Sequence, residues 1–481
     1  MDFRVVFYVL SFLSLCLSGA LLLPAGVSLA YGEGEMKAFL LSALICGGMG
    51  VGGLALFRSE RKELGHREGF AIVGLGWMAV CLLGALPYLF AGTFSSLVNA
   101  CFESTSGFTT TGATVIQNLE ILPKGILFWR SLTHWLGGMG IILLSMAILP
   151  MLGVGGMQLY RAEVPGPVPD RLKPRIRETA KTLWMVYVLI SVLEVVFLLL
   201  GGMSLFDAVC HTFGTMATGG FSTHNASISH YGSPYIEGVI TLFMFAAGAN
   251  FALHYQILLG NPRRYLQDPE FRFYLFSILF ITGAVSLLLW GGPYDTGRAS
   301  FRYAAFQVTS ILTTTGYVTA DYEQWPLVVQ YILFALMFFG GCAGSTGGSV
   351  KCIRVLLLLK QAYKEIYRLI HPHAVSTIKL GKKTVPPDVM ESVLGFSLVY
   401  LGIFVVASLL MSWLGLDFKS SLASVAACIG NVGPGLGVIG PVKTYLPIVP
   451  TGKWILILCM ILGRLEIFTL LILFLPQFWK K

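Results

Sequence analysis

Apolar runs free of charge alternate with short charged segments along the whole chain. Val5–Gly32, Ala38–Phe57, Phe70–Phe102, Ser131–Tyr160, Gln324–Val350 and Ser392–Leu416 contain no Asp, Glu, Lys or Arg. Each is long enough for the ~20 residues with which a helix crosses a ~30 Å hydrocarbon core. The pattern predicts an all-α polytopic membrane protein. Val5–Gly32 has the apolar centre of a signal peptide, but it is long, has only Arg4 as a basic flank and leads into another span, so it is expected to be a retained helix.

Self-similarity orders the rest of the chain. Four segments align without gaps over fourteen positions: Asn99–Gly112 (NACFESTSGFTTTG), Asp207–Gly220 (DAVCHTFGTMATGG), Tyr303–Gly316 (YAAFQVTSILTTTG) and Ser420–Gly433 (SSLASVAACIGNVG). Column five is polar in all four (Glu103, His211, Gln307, Ser424), column twelve is Thr110, Thr218, Thr314 and Asn431, and column fourteen is always glycine. Each unit reads as an apolar span, a semi-polar stretch too short to cross and so expected as a re-entrant helix, the turn, and a second span. First spans are expected near 70–91, 183–202, 273–291 and 393–416, and second spans near 124–150, 234–260, 326–350 and 452–476. With helices at 5–30 and 37–57 in front, ten crossings follow. The expected parts are an N-terminal pair (1–69) and units at 70–160, 161–272, 273–391 and 392–481.

Composition agrees: 55% of the 481 residues are hydrophobic and 12% charged, against roughly 25% charged in soluble domains. A soluble enzyme or an isolated DNA-binding domain is excluded. The net charge of +9 would suggest nucleic acid if it were spread evenly, but it is not. With the N-terminus cytoplasmic, loops 58–69, 160–182, 261–272 and 351–391 fall on one side and hold four, six, three and eight of the 33 basic residues. That is the positive-inside pattern, with both termini cytoplasmic and no nucleic acid required. The nine cysteines form no CxxC pair and lie in or beside apolar stretches, so they are expected as packing residues.

Extended backbone at membrane depth survives only where protein or a wet cavity meets its polar groups. Four such segments from four matching units can surround one axis. Glycine gives the backbone angles that aim successive carbonyls one way, and rings of carbonyl oxygen replace a cation's hydration shell. The short helices end at the turns, so their negative dipole ends would face a cation there. Taken singly, each turn is an ordinary loop tip; four in register predict a pore. Glu103 and His211 of column five are expected to brace the filter from behind.

The residues also carry a resemblance. FTTTGATV (108–115), GGMQLYRAEVPGPV (155–168), GGFSTH (219–224), GGCAGSTGG (340–348), NVGPGLG (431–437) and GRLEIFTLL (463–471) resemble the Trk/Ktr/HKT superfamily of cation transporters, and most closely its TrkH-type potassium uptake subunits, over essentially the whole chain. The resemblance implies four M1–P–M2 units (helix, re-entrant pore helix, helix) around one potassium-channel-like pore in the bacterial inner membrane. It implies a filter of Thr110, Thr111, Gly112 and Ala113; Thr218, Gly219, Gly220 and Phe221; Thr314, Thr315, Gly316 and Tyr317; and Asn431, Val432, Gly433 and Pro434. Potassium would be the transported ion, at the filter carbonyls. The fourth segment departs with Asn431, Val432 and Pro434, so the ring is not chemically fourfold. The family also implies a homodimer and a cytosolic TrkA-type ring that binds NAD(H) or ATP/ADP. This chain has no Rossmann fingerprint or P-loop, so nucleotide responses would come from that partner, and no organic cofactor is expected in the chain itself.

The second span of unit three is interrupted by Gly340, Gly341, Cys342, Ala343, Gly344, Ser345, Thr346, Gly347 and Gly348; each glycine costs about 1 kcal/mol of helix propensity against alanine. The stretch reads either as close helix packing through small residues or as an intramembrane loop below the filter. Arg464 lies about halfway along Lys453–Pro476, where a charge faces a cavity or a partner, and Glu466 is poorly placed to pair with it. The expectation is that Arg464 bonds carbonyls of the 340–348 loop and that together they gate cation flow; the alternative is an arginine satisfied within its own unit. His134, Glu194 and His254 are expected in interhelical hydrogen bonds rather than proton relays. The chain carries no HExxH, no nucleophile constellation and no paired carboxylates in a cavity-forming stretch, so a membrane enzyme has little support. A potassium symporter coupled to protons or sodium is the alternative to a channel-like pore.

Overall fold

The computed structural model describes residues 1–57, 65–147, 172–374, 376–381 and 383–480. The GGMQLYRAEVPGPV segment, most of loop 58–69 and the start of loop 160–182 lie outside them.

The two N-terminal runs and the four first spans form long helices. They are α1 (Phe3–Ala30) and α2 (Met36–Leu56), then the first spans α3 (His66–Leu83), α6 (Leu172–Leu200), α10 (Pro269–Leu289) and α14 (Pro387–Trp413). The pore helices are α4 (Leu97–Phe108), α7 (Leu205–Met216), α11 (Gly297–Leu312) and α15 (Phe418–Ile429). The second spans are α5 (Lys124–Ala147), α8 with α9 (Pro234–Ala247, Phe251–Leu258), α12 with α13 (Leu327–Leu336, Cys352–Ile370), and α16 with α17 (Pro450–Arg464, Phe468–Leu471). The architecture is four helix–pore helix–helix repeats around a pseudo-fourfold axis, with α1 and α2 outside them. α1 and α2 join unit one through Glu33, whose carboxylate accepts the Lys124 and Gly125 N–H groups at 2.6 and 3.0 Å.

The outer surface is apolar. Leu44, Leu56, Leu279, Phe280, Leu398 and Leu409 are all exposed on spanning helices, a face stable only against lipid. The chain is a multi-pass membrane protein. Among the described residues, six helices are long and apolar enough to cross, or eight with each bent pair counted once.

The expected continuous second spans at 234–260 and 452–476 are broken, by bends of 102° and 112°. In unit two the cause is visible: Ala247 O and Gly248 O, freed from helical bonding, accept from Thr346 Oγ1 and Cys342 N–H of the glycine-rich loop. In unit four the break falls at Leu465–Ile467, with Glu466 and Ile467 both left-handed at φ +58 and +54. Arg464 is therefore the last residue of α16, not the middle of a continuous helix. The inserted loop bends its neighbour in unit two, which a span-by-span reading of hydropathy does not foresee.

Candidate functional site

All four pore helices stop at the same alignment column. Phe108, Met216, Leu312 and Ile429 are each column ten. Column twelve then turns left-handed in every unit (Thr110 +51, Thr218 +54, Thr314 +61, Asn431 +53), and so does column fourteen (Gly112 +79, Gly220 +77, Gly316 +79, Gly433 +96). The column-thirteen N–H donates back into the pore helix in each case: Thr111 to Ser106, Gly219 to Gly214, Thr315 to Ser310 and Val432 to Ala427, at 2.8–2.9 Å. Four stretches of different composition share one backbone because the same helix end and the same final glycine dictate it.

The four turns close a cycle. A Cβ built on Gly112 would lie 2.1 Å from Gly219 O, one on Gly220 2.0 Å from Thr315 O, one on Gly316 2.0 Å from Val432 O, and one on Gly433 2.5 Å from Thr111 O. Each column-fourteen glycine thus abuts the column-thirteen carbonyl of the next unit, in the order one, two, three, four, one. A side chain there is barred twice, by its φ and by the neighbouring oxygen. Among the described residues no N–H or O–H donates to the carbonyls of columns twelve and thirteen, although buried carbonyls are nearly always paired. Such an array suits a desolvated cation.

Column five acts as a brace in three units. Glu103 accepts from Thr114 Oγ1 and Val115 N–H at 2.9 and 3.0 Å, His211 meets Ser222 Oγ at 3.0 Å, and Gln307 Nε2 donates to Tyr317 O at 3.4 Å. Ser424 does not follow: it bonds Ser421 O within its own helix, and Tyr445 Oη and Tyr322 Oη hold Gly433 O and Gly435 O instead. A serine is too short to reach past its own helix. Asn431, the departure in column twelve, spans the seam between units four and one, donating to Thr111 Oγ1 and Met460 O, both at 3.0 Å.

Arg130, which stands just before the charge-free run Ser131–Tyr160, was not singled out from the sequence. It is buried, only 1% exposed. Its guanidinium bonds Glu103 at 2.8 Å, Ser222 O at 3.2 Å and Thr114 Oγ1 at 3.3 Å, and lies 4.0 Å over the Phe221 ring. It ties the segments that follow turns one and two together. Arg464 is thus not the sole arginine inside the bundle. Replacing Arg130 by Met strands the Glu103 charge in the core and is expected to cost about 3–5 kcal/mol, read as a drop in the thermal unfolding midpoint in detergent. Lysine is expected not to rescue it, since a single ammonium lacks the guanidinium fork. Pairing Arg130→Met with Glu103→Gln should recover most of the loss.

The glycine-rich stretch is an extended segment between α12 and α13, pinned from every side. Gly340 N–H donates to Val350 O at 2.8 Å, and Gly348 N–H to Thr314 Oγ1 of the third turn at 2.7 Å. Thr346 Oγ1 reaches Met216 O, the end of the second pore helix, at 3.0 Å. Glu270 accepts from Ala343 N–H and Ile353 N–H at 2.7 and 3.0 Å. Lys351, read from sequence as part of a cytoplasmic loop, is buried and its ammonium bonds Gly347 O. Arg464 donates to Thr346 O at 2.7 Å and to Gly137 O of unit one at 3.3 Å. Glu466 pairs with Arg354, not Arg464. The arginine leaves its own unit to bridge the loop and the opposite span.

His254 has its partners, Ala246 O at 2.9 Å and Tyr265 Oη at 2.5 Å. His134 and Glu194 correct the expectation of satisfied interhelical bonds: both are fully buried, and none of their side-chain nitrogens or oxygens has a hydrogen-bond partner among the described residues.

Residues 36–481 match the family described as TrkH, cation transport protein. This chain belongs to the TrkH family. It is 45% identical over the full length of both chains to the Trk system potassium uptake protein TrkH of Salmonella typhimurium, and 37% identical over 99% of each to the TrkG protein of Escherichia coli. Its fold is similar to the crystal structure of the potassium transporter TrkH from Vibrio parahaemolyticus, with TM-score 0.93 and 41% identity over all of both chains. The architecture of this TrkH-family chain is therefore that of solved relatives. The roles of its individual residues rest on the geometry above.

Proposed function

We propose that the chain takes up potassium through a channel-like pore across the bacterial inner membrane, with both termini cytoplasmic. It is a transporter subunit and not an enzyme. The observation that carries this is the closed cycle of four glycines against four neighbouring carbonyls, with columns twelve and thirteen unspent. Filter contacts come from Thr110–Ala113, Thr218–Phe221, Thr314–Tyr317 and Asn431–Pro434. Potassium is the cargo, as the relatives' names state of them.

Gly340–Gly348 with Arg464 forms the gate. Support comes from the loop's bond to the third filter segment and from a guanidinium held beneath the filter by two carbonyls from different units. A fixed positive charge in a cation path raises the barrier to passage. The loop leads directly into α13, an amphipathic helix with Leu359, Tyr363, Ile366, Leu369 and Ile370 exposed. Such a face supports docking to a second copy or to a cytosolic TrkA-type nucleotide-binding ring, whose pull on α13 would reach the loop through Lys351.

Purified chain in liposomes tests the reading. Rubidium tracer uptake is expected to follow the potassium gradient alone, at fixed pH and without sodium. Uptake that requires a proton or sodium gradient would replace the channel with a symporter, in which Glu194 and His134 are the groups to examine.

A further inference from the structure

The second filter segment lacks a side chain that the other three carry. Column thirteen is Thr111, Gly219, Thr315 and Val432, and column eleven is Thr109, Ala217, Thr313 and Gly430. In units one and three the two columns pair their hydroxyls, Thr109 with Thr111 and Thr313 with Thr315, both at 2.8 Å. Unit two has neither hydroxyl. Its backbone does not demand glycine at column thirteen, because Gly219 is not left-handed and the same position holds a threonine or a valine in the other units.

A neighbouring ring is what excludes a side chain. A Cβ on Gly219 would lie 1.9 Å from His134 Nδ1, 2.4 Å from Cε1 and 2.6 Å from Cγ, and these three are its nearest atoms. His134 belongs to α5, the second span of unit one. It is fully buried and stacks on Phe221, two residues past Gly219, with centroids 4.1 Å apart and planes at 19°. Both ring nitrogens lack a partner among the described residues. Arg130, one helical turn earlier, lies over the same phenyl ring.

We propose that His134 is a specificity-determining residue of the filter: its imidazole, supplied by unit one, takes the place of the hydroxyl pair missing from unit two and sets the position of the Gly219 carbonyl. The proposal rests on the filter reading above. Gly219 O is the oxygen against which Gly112 packs, so the ring governs the seam between units one and two. Without it, segment two has no side chain behind its carbonyl, which can then relax outward. Discrimination between potassium and sodium depends on the number and field strength of the coordinating carbonyls, so such relaxation weakens it.

The test is the ratio of rubidium to sodium tracer uptake by the purified full-length chain in liposomes. His134→Ala and His134→Gln are expected to keep conducting while the ratio falls by about threefold or more, the scale on which loss of one contact beside a binding site acts. Gly219→Thr alone, which overlaps the imidazole, is expected to abolish uptake. Gly219→Thr combined with His134→Ala gives unit two the residue of units one and three, and uptake should return with a ratio near that of the parent. An unchanged ratio in both His134 variants, or a double variant no better than Gly219→Thr, overturns the proposal. Gly316→Ala separates the two readings. If it alters the ratio while the His134 variants do not, the filter stands and the role of His134 falls; if it too leaves the ratio unchanged, the filter reading fails. Should His134→Ala elute as aggregate, His134→Gln and the double variant decide.

Discussion

Replacing Arg464 by alanine raises basal cation uptake by about tenfold or more. The guanidinium makes two charge-assisted bonds, to Thr346 O and Gly137 O, each contributing about 1.5–3 kcal/mol; a shift of about 1.4 kcal/mol in the closed-to-open balance is already tenfold. The substitution also removes a positive charge from the proposed path, and the two effects add. Because Arg464 ends α16 at an existing break, its removal leaves helical bonding intact. Lysine keeps the charge but not the paired geometry, so it should fall between parent and alanine. Tracer uptake without any cytosolic partner measures the change. Equal uptake in parent and alanine variant would remove Arg464 from the gate.

Gly316→Ala is expected to lower potassium uptake at least tenfold, which corresponds to about 1.4 kcal/mol at the barrier. Two independent costs converge. At φ +79 a Cβ is strained, by roughly 1–2 kcal/mol. The same methyl would sit 2.0 Å from Val432 O and 2.8 Å from Pro434 Cδ, so the fourth segment must move. Gly238→Ala and Gly283→Ala are the controls, since a Cβ at either meets nothing within 4 Å; both should transport like the parent. Gly316→Ala with parental uptake, in a chain that elutes as a single species, would sink the filter assignment.

The fourfold repeat was legible because pore-helix end, left-handed turn and final glycine are local features, written in consecutive residues and so preserved in a gapless alignment. Arg464 was legible because a charge inside an apolar run is conspicuous in one dimension. Arg130 escaped the same test by a single position: it borders its run instead of interrupting it. Lys351 looked like a loop charge for the same reason. Ser424 shows the converse, a residue in the same column as Glu103 whose side chain is too short to reach as Glu103 does.

From the sequence alone come the membrane class, the gathering of basic residues into four loops, the register of the four turns and the two candidates for the gate. These depend on run length, charge and spacing along the chain. Only the tertiary structure decides which groups meet. Arg464 bonds a carbonyl 118 residues away and Glu270 an N–H 73 residues away. His134 fills a space in another unit that shows in the sequence only as one more glycine. The bends at Gly248–Asn250 and Leu465–Ile467 belong to the same class. The first arises where an inserted loop competes for backbone hydrogen bonds, and hydropathy does not record that competition.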